Sequence, residues 1–172
     1  MDRLWAPWRT DYITQAVRPS GCFLCAAALP GEDEERLVVV RTKLSVVLLN
    51  RYPYNNGHLL ISPRAHKAEL TDLSTAESAD LQHLLTKLTA IVKAGMNADG
   101  FNVGLNLGRA AGAGVPGHLH WHLVPRWNGD QNFMPVTGET KIMSQSLEAC
   151  RDLLHARCVH LSDKSETTFD SL

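Results

Sequence analysis

The apolar positions of this 172-residue chain fall into short runs, each stopped by charged or turn residues. Leu37–Val40 is a continuous apolar run of strand length, and Leu44–Asn50 repeats it after a short charged turn. Tyr52-Pro-Tyr-Asn-Asn-Gly57 supplies proline and Asn-Gly punctuation. His58–Ser62 then reads as a third strand, stopped by Pro63. From Ser74 the period becomes helical: Leu81, Leu84, Leu85, Leu88, Ile91 and Val92 return every three or four positions, and Gly95 ends the pattern. Ser74 is placed to cap this helix, with Glu77 closing a capping box. Phe101–Leu107 alternates as a fourth strand, residues 118–127 form a fifth, and a C-terminal helix covers about residues 144–160. Five strands, one long crossover helix and a C-terminal helix predict an α+β domain with a mainly antiparallel sheet.

The fifth strand carries the chemistry. In His118-Leu-His120-Trp-His122-Leu, the period-two geometry of an extended chain sets the three imidazoles on one face and Leu119, Trp121 and Leu123 on the other. Imidazole titrates near neutral pH, attacks as a nucleophile and ligates metals. Three in strict alternation build a site rather than a core. Two readings follow from the residues: three ligands of a catalytic metal, or a central nucleophile flanked by orienting partners. No carboxylate is placed to complete the metal site. The preceding stretch, Gly108-Arg-Ala-Ala-Gly-Ala-Gly-Val-Pro-Gly117, has glycines spaced to turn backbone amides toward phosphate oxygens. It lacks the Gly-Lys-Ser/Thr of a P-loop. Its position favours the nucleophile reading.

Composition narrows the partners. Seventeen Lys and Arg against eighteen Asp and Glu leave a net charge of −1, with no basic cluster longer than a pair. Nucleic acid is therefore excluded as a general partner, since backbone affinity needs clustered cations. The opening residues hold early charge and tryptophan with no apolar segment of signal-peptide type, and no run is long enough to cross a membrane. A cytoplasmic protein is expected. Residues 1–21 read as an irregular arm, 22–161 as one domain and 162–172 as a flexible polar tail. Cys22 and Cys25 form C-x-x-C, which in a reducing compartment is a metal clip or redox motif. Cys150 and Cys158 read as small buried residues of the C-terminal helix.

These residues resemble the histidine triad (HIT) superfamily, whose signature His-φ-His-φ-His-φ-φ (φ apolar) is matched in full by His118–Val124. Leu49-Asn50 through Gly57-His58 to Pro63, with His66 beyond, resembles the family's second block, and the matching blocks cover roughly residues 37–135. Val124–Phe133 is most similar to the fragile-histidine-triad and dinucleoside polyphosphate branch. A glutamine at the third triad position would mark the hexose-1-phosphate uridylyltransferase branch; His122 stands there instead.

The resemblance implies nucleotidyl transfer through a covalent intermediate on His120, with His122 contacting the phosphate, and cleavage of a dinucleoside polyphosphate such as diadenosine tetraphosphate. Asn50 matches a ribose-binding position, Asn106 a polar position flanking the phosphate, and His58 a histidine at the edge of the site. Many hydrolase members carry Gln or Ser where this chain has Gly114 and Val115. Leaving-group handling then falls to backbone amides such as that of Gly114, to water or to another side chain. Either water or inorganic phosphate is left open as the acceptor, and a nucleotide-binding sensor with little turnover is the remaining alternative. By the same resemblance, Cys22, Cys25, His66 and His118 match a structural zinc site, with no organic cofactor. A two-fold homodimer that extends the sheet is also implied, with Trp121 and the long helix as sources of apolar contact.

Overall fold

The structure, a computed structural model, describes residues 21–130 and 143–162. The N-terminal arm up to residue 20, the tail beyond Ser162, and Gln131–Phe133 at the end of the family-like block lie outside the described residues. Five strands, β1 (Val38–Arg41), β2 (Ser45–Leu49), β3 (Leu59–Pro63), β4 (Gly100–Leu105) and β5 (Trp121–Arg126), form one sheet in the order β1-β2-β3-β5-β4. Every neighbouring pair is antiparallel. Helices α1 (Phe23–Ala28), α2 (Thr75–Met96) and α3 (Leu147–Ser162) complete the α+β architecture.

The unbroken apolar runs of β2 and β3 arise because both faces of those strands are covered, which removes the polar alternation of a half-solvated sheet. Val47, Leu49, Leu59, Ile61 and Leu123 pack into the main core with Leu81, Leu84, Leu88 and Val92 of α2 and Leu154 and Cys158 of α3. Val46, Leu48 and Leu60 meet Leu24, Ala27 and Ala28 of α1 on the opposite face. Cys150 and Cys158 are buried. Trp121 is packed against the main core, so part of its surface is used within the chain's own fold.

Several boundaries depart from the sequence pattern for local reasons. Leu37 takes φ +58°, so β1 starts at Val38, and a bulge between Val38 and Val40 shifts its register against β2. The capping box forms as expected: Ser74 Oγ accepts the Glu77 N–H while the Glu77 carboxylate accepts the Ser74 N–H. Gly95, however, does not end α2. The helix runs to Met96 and stops at left-handed Asn97. Gly95 instead admits Arg157, whose Cδ and Nε would lie 3.0 Å from a Cβ there. Helix α3 starts later than expected because Ser146 accepts the Ala149 N–H, and it includes Ser162, which the pattern assigned to the tail. Finally, β5 opens at Trp121, so His118–His120 precede the regular strand. The Leu119 N–H donates to the Lys67 carbonyl and the Leu119 carbonyl accepts from the Ser62 hydroxyl, which takes both groups out of the ladder.

Candidate active site and metal centre

Strand register assembles the site. Cross-strand partners share a face, and Leu48 pairs with Leu60, Leu60 with His122, and His122 with Gly104. Two residues along from Leu48 and Leu60 stand Asn50 and His58, joined by the bond from the Asn50 N–H to the His58 carbonyl at 2.8 Å. Beyond the Leu105–Trp121 pair, Asn106 reaches the level of His120. Asn50, His58, His120, His122 and Asn106 therefore line the face that α1 only partly covers. Gly104, opposite His122, has open space where a Cβ would stand, so no side chain fills the neighbouring position.

Backbone groups assign a tautomer to each imidazole, because an N–H can only donate and a carbonyl can only accept. The Tyr54 N–H donates to His58 Nδ1 at 3.0 Å. His58 thus carries its proton on Nε2 and donates it to His122 Nδ1 at 2.9 Å. The His122 proton is then on Nε2, a buried atom with no hydrogen-bond partner among the described residues. His120 donates Nδ1–H to the His118 carbonyl at 2.8 Å, leaving a lone pair on Nε2. The His120 and His122 rings stand edge to face at 5.1 Å. The result is one available lone pair beside one unpaired buried donor. An unsatisfied buried polar atom is rare enough to require a reason, and a ligand oxygen is the simplest.

Burial also keeps these rings neutral. It lowers the His120 pKa from the ordinary 6.5, against the opposing pull of the His118 carbonyl. His122 falls to about 4, through burial first and then repulsion from His120. A neutral imidazole is the nucleophilic form.

His58 is not at the edge of the site as expected. It is fully buried and central, linking the β2–β3 turn to His122. Asn50 is half-buried; its Oδ1 accepts the Tyr52 N–H and its Nδ2 lies 3.4 Å from His58 Nδ1. Gly114 is half-buried four residues before His118, and nothing described joins it to the histidines. Sequence reasoning missed Tyr54, whose ring stacks on His58 at 4.8 Å and on His122 at 5.9 Å. It also missed Asn55, which anchors the same turn by donating to the Pro125 carbonyl and to Asp130. Only their position in an aromatic turn before His58 hinted at either.

The His118 ring turns away from the other two. Its Nδ1 is 3.2 Å from Cys22 Sγ and 3.4 Å from Cys25 Sγ, and Cys25 Sγ is 3.1 Å from His66 Nδ1. The four ligand atoms all lie within 4.8 Å of one another. A tetrahedral zinc with metal–ligand bonds of about 2.0–2.3 Å needs separations of roughly 3.3–3.8 Å, and the sulfur–nitrogen contacts of 3.2, 3.1 and 3.4 Å lie close to that range. His118 Nε2–H donates to the Pro63 carbonyl at 2.9 Å, which orients Nδ1 toward the thiols. Among the described residues this is the one group of three or more such side chains able to hold a metal. A site made of the three triad histidines is not formed.

The model of the family described as HIT domain matches residues 32–129. An AP-4-A phosphorylase from Mycobacterium tuberculosis is 43% identical over 161 residues, covering 90% of this chain and 83% of that protein. An asymmetrical bis(5'-nucleosyl)-tetraphosphatase from Schizosaccharomyces pombe is 36% identical over 93 residues, 52% of this chain and 50% of that protein. Among solved structures, a Zn-bound histidine triad family protein from Mycobacterium smegmatis superimposes with TM-score 0.64 at 27% identity, covering 85% of this chain and 98% of that one.

Proposed function

This chain belongs to the HIT domain family, and from that premise we propose that it is an enzyme cleaving a phosphoanhydride of a dinucleoside polyphosphate through a nucleotidyl-His120 intermediate. The observation that carries the reading is the His120 Nε2 lone pair, left by the Nδ1–H bond to the His118 carbonyl, beside a buried His122 Nε2–H that has no partner among the described residues. With diadenosine tetraphosphate, His120 Nε2 forms a bond to the α-phosphorus as the bridging P–O bond breaks. ATP leaves with that electron pair as an anion needing no proton at neutral pH. The His120 ring becomes cationic, and its Nδ1–H bond to the His118 carbonyl stabilises that charge. His122 donates Nε2–H to a nonbridging oxygen as negative charge shifts there. Asn50 holds the ribose, His58 orients His122, and Asn106 and the Gly114 amide flank the phosphates. An acceptor then attacks phosphorus and breaks the P–N bond: water yields AMP, inorganic phosphate yields ADP. The relatives named as phosphorylases favour phosphate as a second reading.

Cys22, Cys25, His66 and His118 would hold a zinc ion, in keeping with the Zn-bound relative. Such a metal is structural: it neutralises the thiolates and ties α1 to the catalytic segment. The open edge of the sheet, β4 with half-exposed Val103, suits pairing with a second copy across a two-fold axis. No helix of the described residues is long and apolar enough to cross a membrane. Free cysteines committed to a metal clip and to the core suit a cytoplasmic setting.

The test is product analysis on diadenosine tetraphosphate with and without inorganic phosphate, beside His120→Ala. AMP plus ATP in phosphate-free buffer identifies a hydrolase; ADP plus ATP only with phosphate identifies a phosphorylase. His120→Ala is expected to lose several orders of magnitude in kcat, since removing a covalent nucleophile can cost about 10⁶. Retention of a tenth of wild-type turnover overturns the nucleophile, and tight nucleotide binding without product favours a sensor.

A further inference from the structure

We infer that the four-residue metal centre is also a positioning device for the nucleophile: Cys22, Cys25 and His66 hold the His118–Leu119 peptide, and that peptide holds His120. The inference rests on His120 being the nucleophile. His118 and Leu119 lie outside regular β5, so the strand ladder does not set their peptide plane. That plane bears two groups. At one end its carbonyl, from His118, accepts His120 Nδ1–H at 2.8 Å. At the other its N–H, from Leu119, donates to the Lys67 carbonyl at 2.7 Å.

Both attachments lead back to metal ligands. His118 is itself one, fully buried, with its ring held by Pro63 on one side and by the two sulfurs on the other. Lys67 directly follows His66, the ligand against Cys25. The approach is close: a Cβ at Gly117, next to His118, would stand 3.4 Å from His66 Nε2. Two ligands from chain segments about fifty residues apart thus converge on a single peptide, and its rotation decides whether His120 keeps a proton acceptor at Nδ1. Loss of a ligand frees that rotation. His120 can then turn, or move its proton to Nε2, and the attacking lone pair is lost. The contacts proposed for substrate, Asn50 and the His58–His122 pair, run through a different turn and are left in place.

Cys25→Ser and His66→Ala in the full-length protein test this with three readouts: bound zinc by elemental analysis, steady-state kinetics, and histidine ¹⁵N NMR, which reads the His120 tautomer. Both variants are expected to lose zinc. Their kcat should fall about 10- to 100-fold, with KM within threefold of wild type and His120 shifting from a single Nδ1–H form to a mixture. Val92→Ala, which loosens the core away from the cluster, should keep kcat and tautomer. If a ligand variant does not fold, wild type stripped by a chelator and refilled with Zn²⁺ gives the same reading. Metal-free protein with kcat within twofold of wild type overturns the proposal, as does a fall in kcat with the His120 tautomer unchanged, or wild type that binds no zinc. A fully active His120→Ala instead overturns the nucleophile reading, whatever the metal does.

Discussion

Replacing His58 with phenylalanine separates hydrogen bonding from packing at the centre of the site. The ring stays, along with its stacking against Tyr54 at 4.8 Å, but the bonds of its two nitrogens disappear. The Tyr54 N–H loses its acceptor and His122 Nδ1 loses its donor, bonds of 3.0 and 2.9 Å. A neutral hydrogen bond with a net worth of about 0.5–1.5 kcal/mol biases a tautomer equilibrium by roughly 2- to 12-fold. That sets the smaller expected effect, in which His122 only begins to sample the Nδ1–H form. If the Nε2–H is lost to the phosphoryl oxygen altogether, removal of one such donor costs about 10²–10³ in kcat. His58→Phe should therefore lower kcat by at least about 2-fold, and by up to about 10³-fold if the donor is lost, with KM little changed. His58→Gln, whose amide can both accept from Tyr54 and donate to His122, should recover most of the loss. The assay is initial-rate cleavage of diadenosine tetraphosphate at saturating substrate, with products separated by ion-exchange chromatography. His58→Phe with wild-type kcat, or His58→Gln impaired as badly as His58→Phe, refutes the relay.

Three further outcomes follow. Because burial lowers the His120 pKa, its lone pair persists below pH 6.5; the acid limb of kcat/KM should fall below that value, and a limb at 6.5 or above contradicts a neutral buried nucleophile. The Glu77 carboxyl, held to about 2 by Lys67 and then by Ser74, contributes stability that is complete above pH 4.5 and lost as pH falls from 4.5 toward 2. The contribution is at most about 3 kcal/mol, and Glu77→Gln should flatten this part of the stability profile in denaturant titrations. Gly57 has φ +73°, and a Cβ there would meet Met96 Sδ at 2.8 Å. Gly57→Ala should lower stability by about 2 kcal/mol or more in thermal unfolding, and an unchanged Tm would show that the turn before His58 adapts freely.

Much of the fold was legible because its determinants are local. The capping box at Ser74 needs only residues three apart, and it forms as read. The apolar runs of β2 and β3 signal burial on both faces without any knowledge of what covers them. Boundaries failed where a distant group intervened. Gly95 reads as a stop signal, yet the helix ends only at left-handed Asn97, and the space that glycine leaves is taken by Arg157, sixty-two positions away. The alternation of residues 118–122 reads as one strand, yet the strand begins only at Trp121, and Leu119 bonds to Lys67 and Ser62 instead of the ladder.

The histidine signature, the C-x-x-C pair and the family likeness were all present in the chain itself, since residue identity and spacing are properties of the sequence. Which side chains meet was decided in three dimensions. Cys25 and His118 stand ninety-three positions apart and meet at one cluster. Placing His58 at the centre rather than the edge required the register of β3 against β5. Most of all, the tertiary structure decided which nitrogen of each imidazole carries the proton. That depends on whether an N–H or a carbonyl faces the ring, and those groups belong to Tyr54, Pro63 and the backbone of His118. A periodic pattern records only the direction in which a side chain leaves its own backbone. The chemistry of an imidazole is set by what it meets across space.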